Sequence, residues 1–332
     1  MSEEFPVILI KVALVAFVLI TAVAYIQFME RRVMAFMQSR LGPNRVGPFG
    51  LLQPLADIVK LIFKEDLIPS GADVAVYFLA PALAAIVGIA AFAVIPFGGS
   101  LDALGYTVNL YVADINVGLL YVFAMSSLAV YGIALAGWSS NNKYSLLGGV
   151  RSAAQMVSYE LPLGLALISV VLVAGSLSLG DIVKAQSNVW FIVYQFPAFI
   201  IYFICAIAET NRAPFDLPEA ESELIAGYHT EYSSMKWALF FLAEYMAVIV
   251  QSSLAVTLFW GGWNGPWVEQ FPLLGVVYFV IKLSVFIFIF TWMRATLPRL
   301  RYDQLMRFGW KVLLPLAVVW LIITAGFVAA FG

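Results

Sequence analysis

Eight apolar stretches of about 20 residues each dominate this chain of 332 residues, and they leave little else to fold. A continuous run of that length at 1.5 Å per residue crosses about 30 Å of hydrocarbon as a helix. The expected spans are Phe5–Met29, Val74–Phe97, Ile115–Trp138, Leu161–Gly180, Val189–Ala208, Trp237–Trp260, Pro272–Met293 and Val312–Phe331. A membrane barrel would instead alternate apolar and polar residues over about ten positions, and these runs do not. With 63% hydrophobic and 11% charged residues, the composition suits an all-α integral membrane protein. The first run is too long for a signal-peptide core and is preceded by Glu3 and Glu4 rather than by basic residues, so a retained span is expected. The whole chain, 1–332, is expected to form a single membrane domain, with no internal repeat of the kind that marks inverted-repeat transporters.

Composition also removes several function classes. A net charge of −2 gives no basic footprint for nucleic acid. One cysteine, Cys205, and one histidine, His229, are too few for a disulfide scaffold, a cysteine-ligated cluster, a His/Cys zinc site or a bis-histidine haem, so no metal is expected. No glycine-rich phosphate loop follows a strand, and no Ser/His/Asp arrangement supports a hydrolase.

Basic residues set an expected orientation. Fifteen fall in the first, third, fifth and seventh connections, among them Arg31, Arg32, Arg40, Arg45, Arg151, Arg212 and Arg294, whereas the opposite loops carry Lys184. The positive-inside rule then places those connections in the cytoplasm and both termini outside. Within the first cytoplasmic connection, 30–73, the segment RLGPNRVGPFG excludes continuous helix. Beyond it, Leu51, Leu55, Ile58, Val59 and Ile62 recur at helical spacing, with Gln53, Asp57, Lys60 and Lys64 opposite. That pattern predicts an amphipathic helix lying at the membrane interface.

Charge is concentrated in the third cytoplasmic connection, 209–236. Here Glu209, Asp216, Glu219, Glu221, Glu223 and Glu231 face one Arg212 and His229. Most such runs are solvated acidic loops. Pro214 and Pro218 stiffen this one, however, and Phe215, Leu217, Leu224, Ile225 and Tyr228 call for burial. Carboxylates crowded in a partly dry place repel one another, which raises proton affinity and makes a charge relay possible. Within the spans, Glu244 and Lys282 are costly at about 2.5–3.5 kcal/mol each on insertion scales, so each needs a partner or a water path. They read either as a structural pair locking spans six and seven or as members of a buried relay bridged by water. Glu160 is expected where span four leaves the cytoplasmic side, as an interfacial carboxylate at a helix start or as a relay group. Glu30 closes span one beside Arg31 and Arg32, whose default role is to snorkel. Arg40, Arg45 and Asp57 are candidates to pair with the acidic loop; Lys11 reads as an interfacial anchor and Cys205 as packing.

The segments MERRVMAFMQSRLGPNRVGPFGLLQPLADIVKLIFKED, GWSSNNKYSLLGGVRSAAQMVSYELPLG, AETNRAPFDLPEAESELIAGYHTEYSSMKWALFFLAEY and WMRATLPRLRYDQLMRFGWKVLLPL resemble the H-type membrane subunit of proton-pumping NADH:quinone oxidoreductase, respiratory complex I. The similarity covers essentially the whole chain. It implies a subunit that joins the redox arm to the pump arm in a bacterial inner membrane and forms much of the passage by which quinone leaves the bilayer. It further implies that no cofactor is bound here. Flavin and iron–sulfur clusters would lie in partner subunits, including the one with the terminal cluster and the hydrophilic one that holds the quinone headgroup, while small membrane subunits lead on to antiporter-like partners. By the same resemblance Glu30, Arg31, Arg40, Asp57, Arg212 and Tyr228 would line or support the quinone path. Glu160, Glu209, Asp216, Glu219, Glu221, Glu223, Glu231, Glu244 and Lys282 would form the charge relay, and Arg294, Arg299, Arg301 and Asp303 match the family's last cytoplasmic loop. The rival assignments are the membrane anchor of an energy-converting hydrogenase or formate hydrogenlyase and, more distantly, a standalone ion-coupled transporter.

Overall fold

The computed structural model describes residues 5–103, 106–218 and 221–331, with the side chains of 5–7, 101–103, 106–108, 221–222 and 331 left undescribed. The described chain is helical: α1 Phe5–Met37, α2 Gln53–Ile62, α3 Val74–Ala91, α4 Gly118–Ser139, α5 Lys143–Ala174, α6 Leu179–Ala185, α7 Phe196–Glu209, α8 Glu221–Leu224, α9 Ser234–Phe259, α10 Leu273–Thr296, α11 Tyr302–Phe308 and α12 Leu314–Phe331. Seven helical segments are long and apolar enough to cross a membrane, the last of them running from Tyr302 to Ala330 through α11 and α12. The chain is therefore a multi-pass membrane protein. One small antiparallel hairpin, β1 Ser100–Ala103 and β2 Tyr106–Asn109, interrupts the helices after α3.

Several boundaries depart from the sequence reading for identifiable reasons. Helix α1 continues to Met37 rather than ending at Met29, because Glu30–Met37 contains no glycine or proline and Glu30 is neutralised within the protein. The segment expected as a loop before Leu161 is instead the first half of α5, which begins at Lys143 with the Asn142 side chain accepting from the Tyr144 N–H at 2.8 Å. Its polar residues disguised it: Ser145, Ser152, Gln155 and Ser158 are buried against other protein segments rather than left to water. Glu160 thus lies inside a helix of 32 residues, not at a helix start.

The fifth expected span is shorter as a helix than its apolar run. Helix α7 has 14 residues, or about 21 Å, and the preceding stretch 186–195 is not helical. Irregular backbone in an apolar setting must have its polar groups met within the protein. Gln186 does much of this. Its Nε2 donates to Ile182 and Thr257 carbonyls at 3.1 and 2.8 Å, and its Oε1 accepts the N–H groups of Phe191 and Gly261 at 3.2 and 3.0 Å.

Helix α5 is the central post, packing on α4, α7 and α12, while α3 packs on α4 and α9. Close approach depends on small residues. A methyl group at Gly137 would stand 2.5 Å from the Ser145 carbonyl oxygen, and one at Gly148 would stand 2.7 Å from the Tyr228 nitrogen in the acidic loop. Gly148→Ala is expected to destabilise the purified protein by about 1–3 kcal/mol through overpacking. Gly326→Ala, where nothing lies within 4 Å, serves as the neutral comparison, and detergent thermal melts of both variants provide the check.

Candidate functional site: a buried ion cluster beside a cavity

Helix α7 ends at Glu209 and delivers the chain into the acidic loop, which folds under the bundle instead of projecting from it. Phe215, Leu217, Leu224, Tyr228 and Tyr232 are all buried. Gln155 of α5 pins the loop's start. Its Nε2 donates to the Ala208 and Phe215 carbonyls at 2.8 Å each and reaches Asn211 Oδ1 at 3.4 Å. The loop's far end is held by Tyr232, whose ring stacks on Tyr77 with centroids 4.1 Å apart. Tyr77 in turn donates to the Glu231 carbonyl at 2.6 Å.

Arg212 is the centre of the site. It is 3% exposed and lies between two carboxylates from different helices. Nη1 donates to Glu30 Oε2 of α1 at 2.5 Å. Nε stands 2.8 Å from Glu244 Oε1 of α9, an ion pair in which the N–H is not aimed at the oxygen. The guanidinium also lies over the Tyr245 ring, 4.2 Å from its centroid. Glu30, 1% exposed, takes a second guanidinium from Arg294 of α10 on its other oxygen. Two acids and two bases from three helices and one loop therefore balance within one cluster. Burial alone would push the Arg212 pKa down, but the Glu244 and Glu30 carboxylates outweigh it and hold the group firmly charged.

Next to this cluster is a cavity of about 70 Å³ whose polar lining includes Glu209, Glu244, Gln251, Ser126, Asn211 and Tyr228. That volume accommodates several waters, each requiring about 10–15 Å³ of such space. Glu209 lines this cavity and is 5% exposed, and its Oε2 is buried without a hydrogen-bond donor among the described residues. Gln251 accepts the Tyr202 hydroxyl at 2.8 Å, extending the polar file along α9 and α7. Ser127 Oγ of α4 donates to Glu160 Oε1 of α5 at 2.7 Å.

Three further acids of the loop meet partners on neighbouring segments. Asp216 pairs with Arg299 at 2.7 Å and Glu223 with Arg151 at 2.6 Å, while Glu231 accepts from Asn142 at 2.6 Å. Burial raises the Asp216 pKa, and Arg299 offsets only part of that rise. Glu221 opens α8 with its side chain undescribed, and Glu219 lies outside the described residues. Beside Tyr228, burial lowers the His229 pKa to about 4, keeping the imidazole neutral. Arg301 pairs with its own neighbour Asp303 at 3.0 Å, outside the cluster.

Three expected pairings are not formed. Glu244 and Lys282 are not partners, since Glu244 faces Arg212. Lys282 Nζ instead donates to the carbonyls of Trp260, Gly262 and Asn264 at 2.8, 2.9 and 2.8 Å, satisfying the turn that follows α9. Arg40 donates to Gln38 at 2.7 Å, and Asp57 takes Arg31 at 2.7 Å. Neither reaches the acidic loop in these contacts. The Arg31–Asp57 pair fixes the polar face of α2 against α1, so Arg31 is a bridge between elements and not a free snorkelling anchor. Arg32, by contrast, donates to the Phe49 carbonyl at 2.8 Å. Sequence reasoning passed over Gln155, Gln251, Ser126 and Ser127, because uncharged polar residues inside apolar runs carry no signal until their partners are known.

A polytopic membrane protein with an acidic loop folded into its own helix bundle is the class this arrangement defines. The chain belongs to the NADH dehydrogenase family, which it matches over residues 10–325. The relatives it matches are H-type subunits of NADH-quinone oxidoreductase, the enzyme known as complex I. It is 58% identical to one such chain of Geobacter metallireducens over 316 residues, covering 95% of this chain and 94% of the relative. It is 57% identical to another from Geobacter sulfurreducens over 321 residues, or 97% and 96% of the two chains. With the corresponding chain of Rhodospirillum rubrum it shares 53% identity over 332 residues, or 98% and 96%.

Two outcomes follow from this geometry. Arg212→Gln takes the cationic partner from Glu244, leaves Glu30 with Arg294 alone, and is expected to cost about 3–5 kcal/mol, seen as a lowered melting temperature and loss of assembled complex on native gels. The His229 effect has a definite sign. Its folded pKa of about 4 lies below the unfolded value of about 6.5, so the unfolded state binds more protons between these values. The contribution of His229 is complete above pH about 6.5 and is lost as pH falls toward 4. The difference in melting temperature between wild type and His229→Gln, followed across that window, should narrow on acidification.

Proposed function

We propose that this chain guides quinone from the bilayer toward the redox arm of a proton-translocating NADH:quinone oxidoreductase and relays the consequence of quinone reduction toward the pump through buried carboxylates. The observation that carries this reading is Arg212, shared by Glu30 and Glu244 at the edge of a cavity that also receives Glu209. Quinone reduction consumes two electrons and two protons, which alters charge and proton demand beside the site. A carboxyl such as Glu209, buried beside this cavity with an unpartnered oxygen, can answer that change by gaining or losing a proton. The path then continues by way of Gln251 and Tyr202 along α7 and α9, with Ser127 and Glu160 one helix away. Glu219, Glu221, Glu223, Glu231 and Asp216 supply the loop's remaining negative charge. Lys282 enters the relay only from the turn after α9, where its ammonium meets three carbonyls.

Helix α2 and helices α1 and α9 bound the quinone passage. The Arg31–Asp57 pair and Gln53, which donates to Asp57 at 3.1 Å, line the inner face of α2, while Leu55, Ile58, Val59 and Ile62 are exposed on its outer face. That inversion suits a helix lying in the interface with its apolar side in lipid. Arg40 and Tyr228 support the passage from the first and third cytoplasmic connections. Helix α7 with the stretch 186–195 completes an eighth crossing of a single membrane domain. Both termini are then periplasmic, and the connections 30–73 and 209–236 face the cytoplasm of a bacterial inner membrane. The chain binds no cofactor of its own. The terminal iron–sulfur cluster, the flavin and the quinone-headgroup residues belong to partner subunits, and small membrane subunits continue the path to the antiporter-like ones.

Glu209→Gln keeps the shape of the site and removes the titrating proton. Coupled quinone-reductase turnover in membrane vesicles is expected to fall about tenfold or more, equivalent to at least about 1.4 kcal/mol in barrier, with assembly unchanged on native gels. Wild-type turnover and wild-type acidification in Glu209→Gln, and likewise in the Glu219→Gln/Glu221→Gln double variant, would refute the relay.

A further inference from the structure

The cavity beside the ion cluster runs deep into the bundle. It follows α9 from Phe240 to Gln251. Eight residues, about 12 Å of helix, then separate Gln251 from the end of α9 at Phe259. That short length stands where a bilayer elsewhere has about 30 Å of hydrocarbon. It is not a purely apolar wall. Every residue from Ser252 to Phe259 is buried, and the hydroxyls of Ser252 and Ser253 meet no partner among the described residues. Unmet buried polar groups are what holds water inside a protein.

The end of α9 away from the acidic loop is closed by polar groups whose bonds are filled. An ammonium has three N–H donors, and that of Lys282 meets three carbonyls in the turn 260–264, at 2.8, 2.9 and 2.8 Å. The Trp190 ring centre lies 4.4 Å from the same nitrogen. From the other side, the Gln186 amide bonds to Ile182 of α6, Thr257 of α9, Phe191 and Gly261. Asn264 Nδ2 donates to the Val183 carbonyl at 2.8 Å, and the Ile192 N–H donates to the Phe259 carbonyl at 3.0 Å. Gly261 and Gly262 take φ of 70° and 52°, and methyl groups there would stand 2.7 Å from Trp190 and 2.6 Å from Val183. The turn therefore lies directly against the stretch that precedes α7. Trp260 Nε1 is buried without a partner, but a lone donor gives a water only one of the two to four bonds it needs.

A proton crosses a membrane protein along waters and polar side chains. Ser252 and Ser253 offer such footholds on the cavity side, whereas the turn beyond them has its carbonyls and amides already engaged. We propose that Gln186 and Lys282 form a polar plug that shuts the cavity off from the membrane face opposite the acidic loop. The plug keeps protons handled near Glu209 from escaping along α9, and in that respect it rests on the relay reading of Glu209.

Two measurements on the assembled complex test the plug. Neither involves quinone turnover, so a failed relay and a failed plug give different results. In the first, the complex is reconstituted in liposomes with a trapped pH dye, and a potassium diffusion potential drives proton entry with no NADH or quinone present. Gln186→Leu and Lys282→Met leave carbonyls or amides of the turn for water to satisfy, and each should raise passive proton flux at least fivefold over wild type. Gly148→Ala, which disturbs the bundle at its acidic-loop end, should leave the flux unchanged. Wild-type flux in both plug variants, with assembly intact on native gels, overturns the proposal, as does an equal rise in Gly148→Ala. The second measurement is amide hydrogen exchange on the unsubstituted complex in nanodiscs, which reads the plug even where the variants fail to assemble. The Phe191, Gly261 and Gly262 amides should exchange as slowly as those of α9 from Gln251 to Phe259. Exchange as fast as at exposed Trp267 and Glu269 overturns the proposal.

Discussion

The structure depends on a charge that has been taken out of water and held. Arg212 comes from a loop, Glu30 from α1, Glu244 from α9 and Arg294 from α10, so one cluster of ions fixes one loop to three helices. Desolvating each ion costs several kcal/mol, and only close opposite charges repay it. Such a cluster contributes little to net stability compared with an apolar core. What it contributes is position, because the loop can satisfy Arg212 only by folding inward. Once inward, it brings Asp216, Glu223 and Glu231 against Arg299, Arg151 and Asn142. The long first half of α5 forms the bed on which it rests, and Gln155 holds it there.

That inward fold turns an acidic surface segment into part of the interior. Glu209 and Glu244 reach a common cavity, and Glu160 has Ser127 of α4 as its donor. Each group sits where a change in its charge is poorly screened and is felt by its neighbours.

Much of this was legible in the residues. Apolar length located the helices, because burial of backbone polar groups in lipid leaves few alternatives. Helical spacing of Leu55, Ile58 and Ile62 gave α2, and the crowding of acids in 209–236 located the site. Three features were not legible, each for a physical reason. The first half of α5 reads as a loop, since Ser145, Gln155 and Ser158 are polar; their burial depends on a loop supplied from elsewhere in the chain. Glu244 and Lys282 both demand partners, but sequence does not say which. Glu244 finds the cationic loop residue at the α7 end, and Lys282 finds the free carbonyls of 260–264. Finally, α7 is shorter than its apolar run because Gln186 can satisfy an irregular stretch, a role that is visible only when its four hydrogen bonds are traced.

The central claim is that a buried carboxyl beside the cavity changes protonation as quinone is reduced. Redox-induced infrared difference spectra of the whole complex measure this most directly, in the C=O stretching region of protonated carboxylic acids. The account predicts a difference band on quinone reduction that is lost in Glu209→Gln and shifts in Glu244→Gln. A spectrum with no carboxylic band, or one left unaltered by both substitutions, would contradict it.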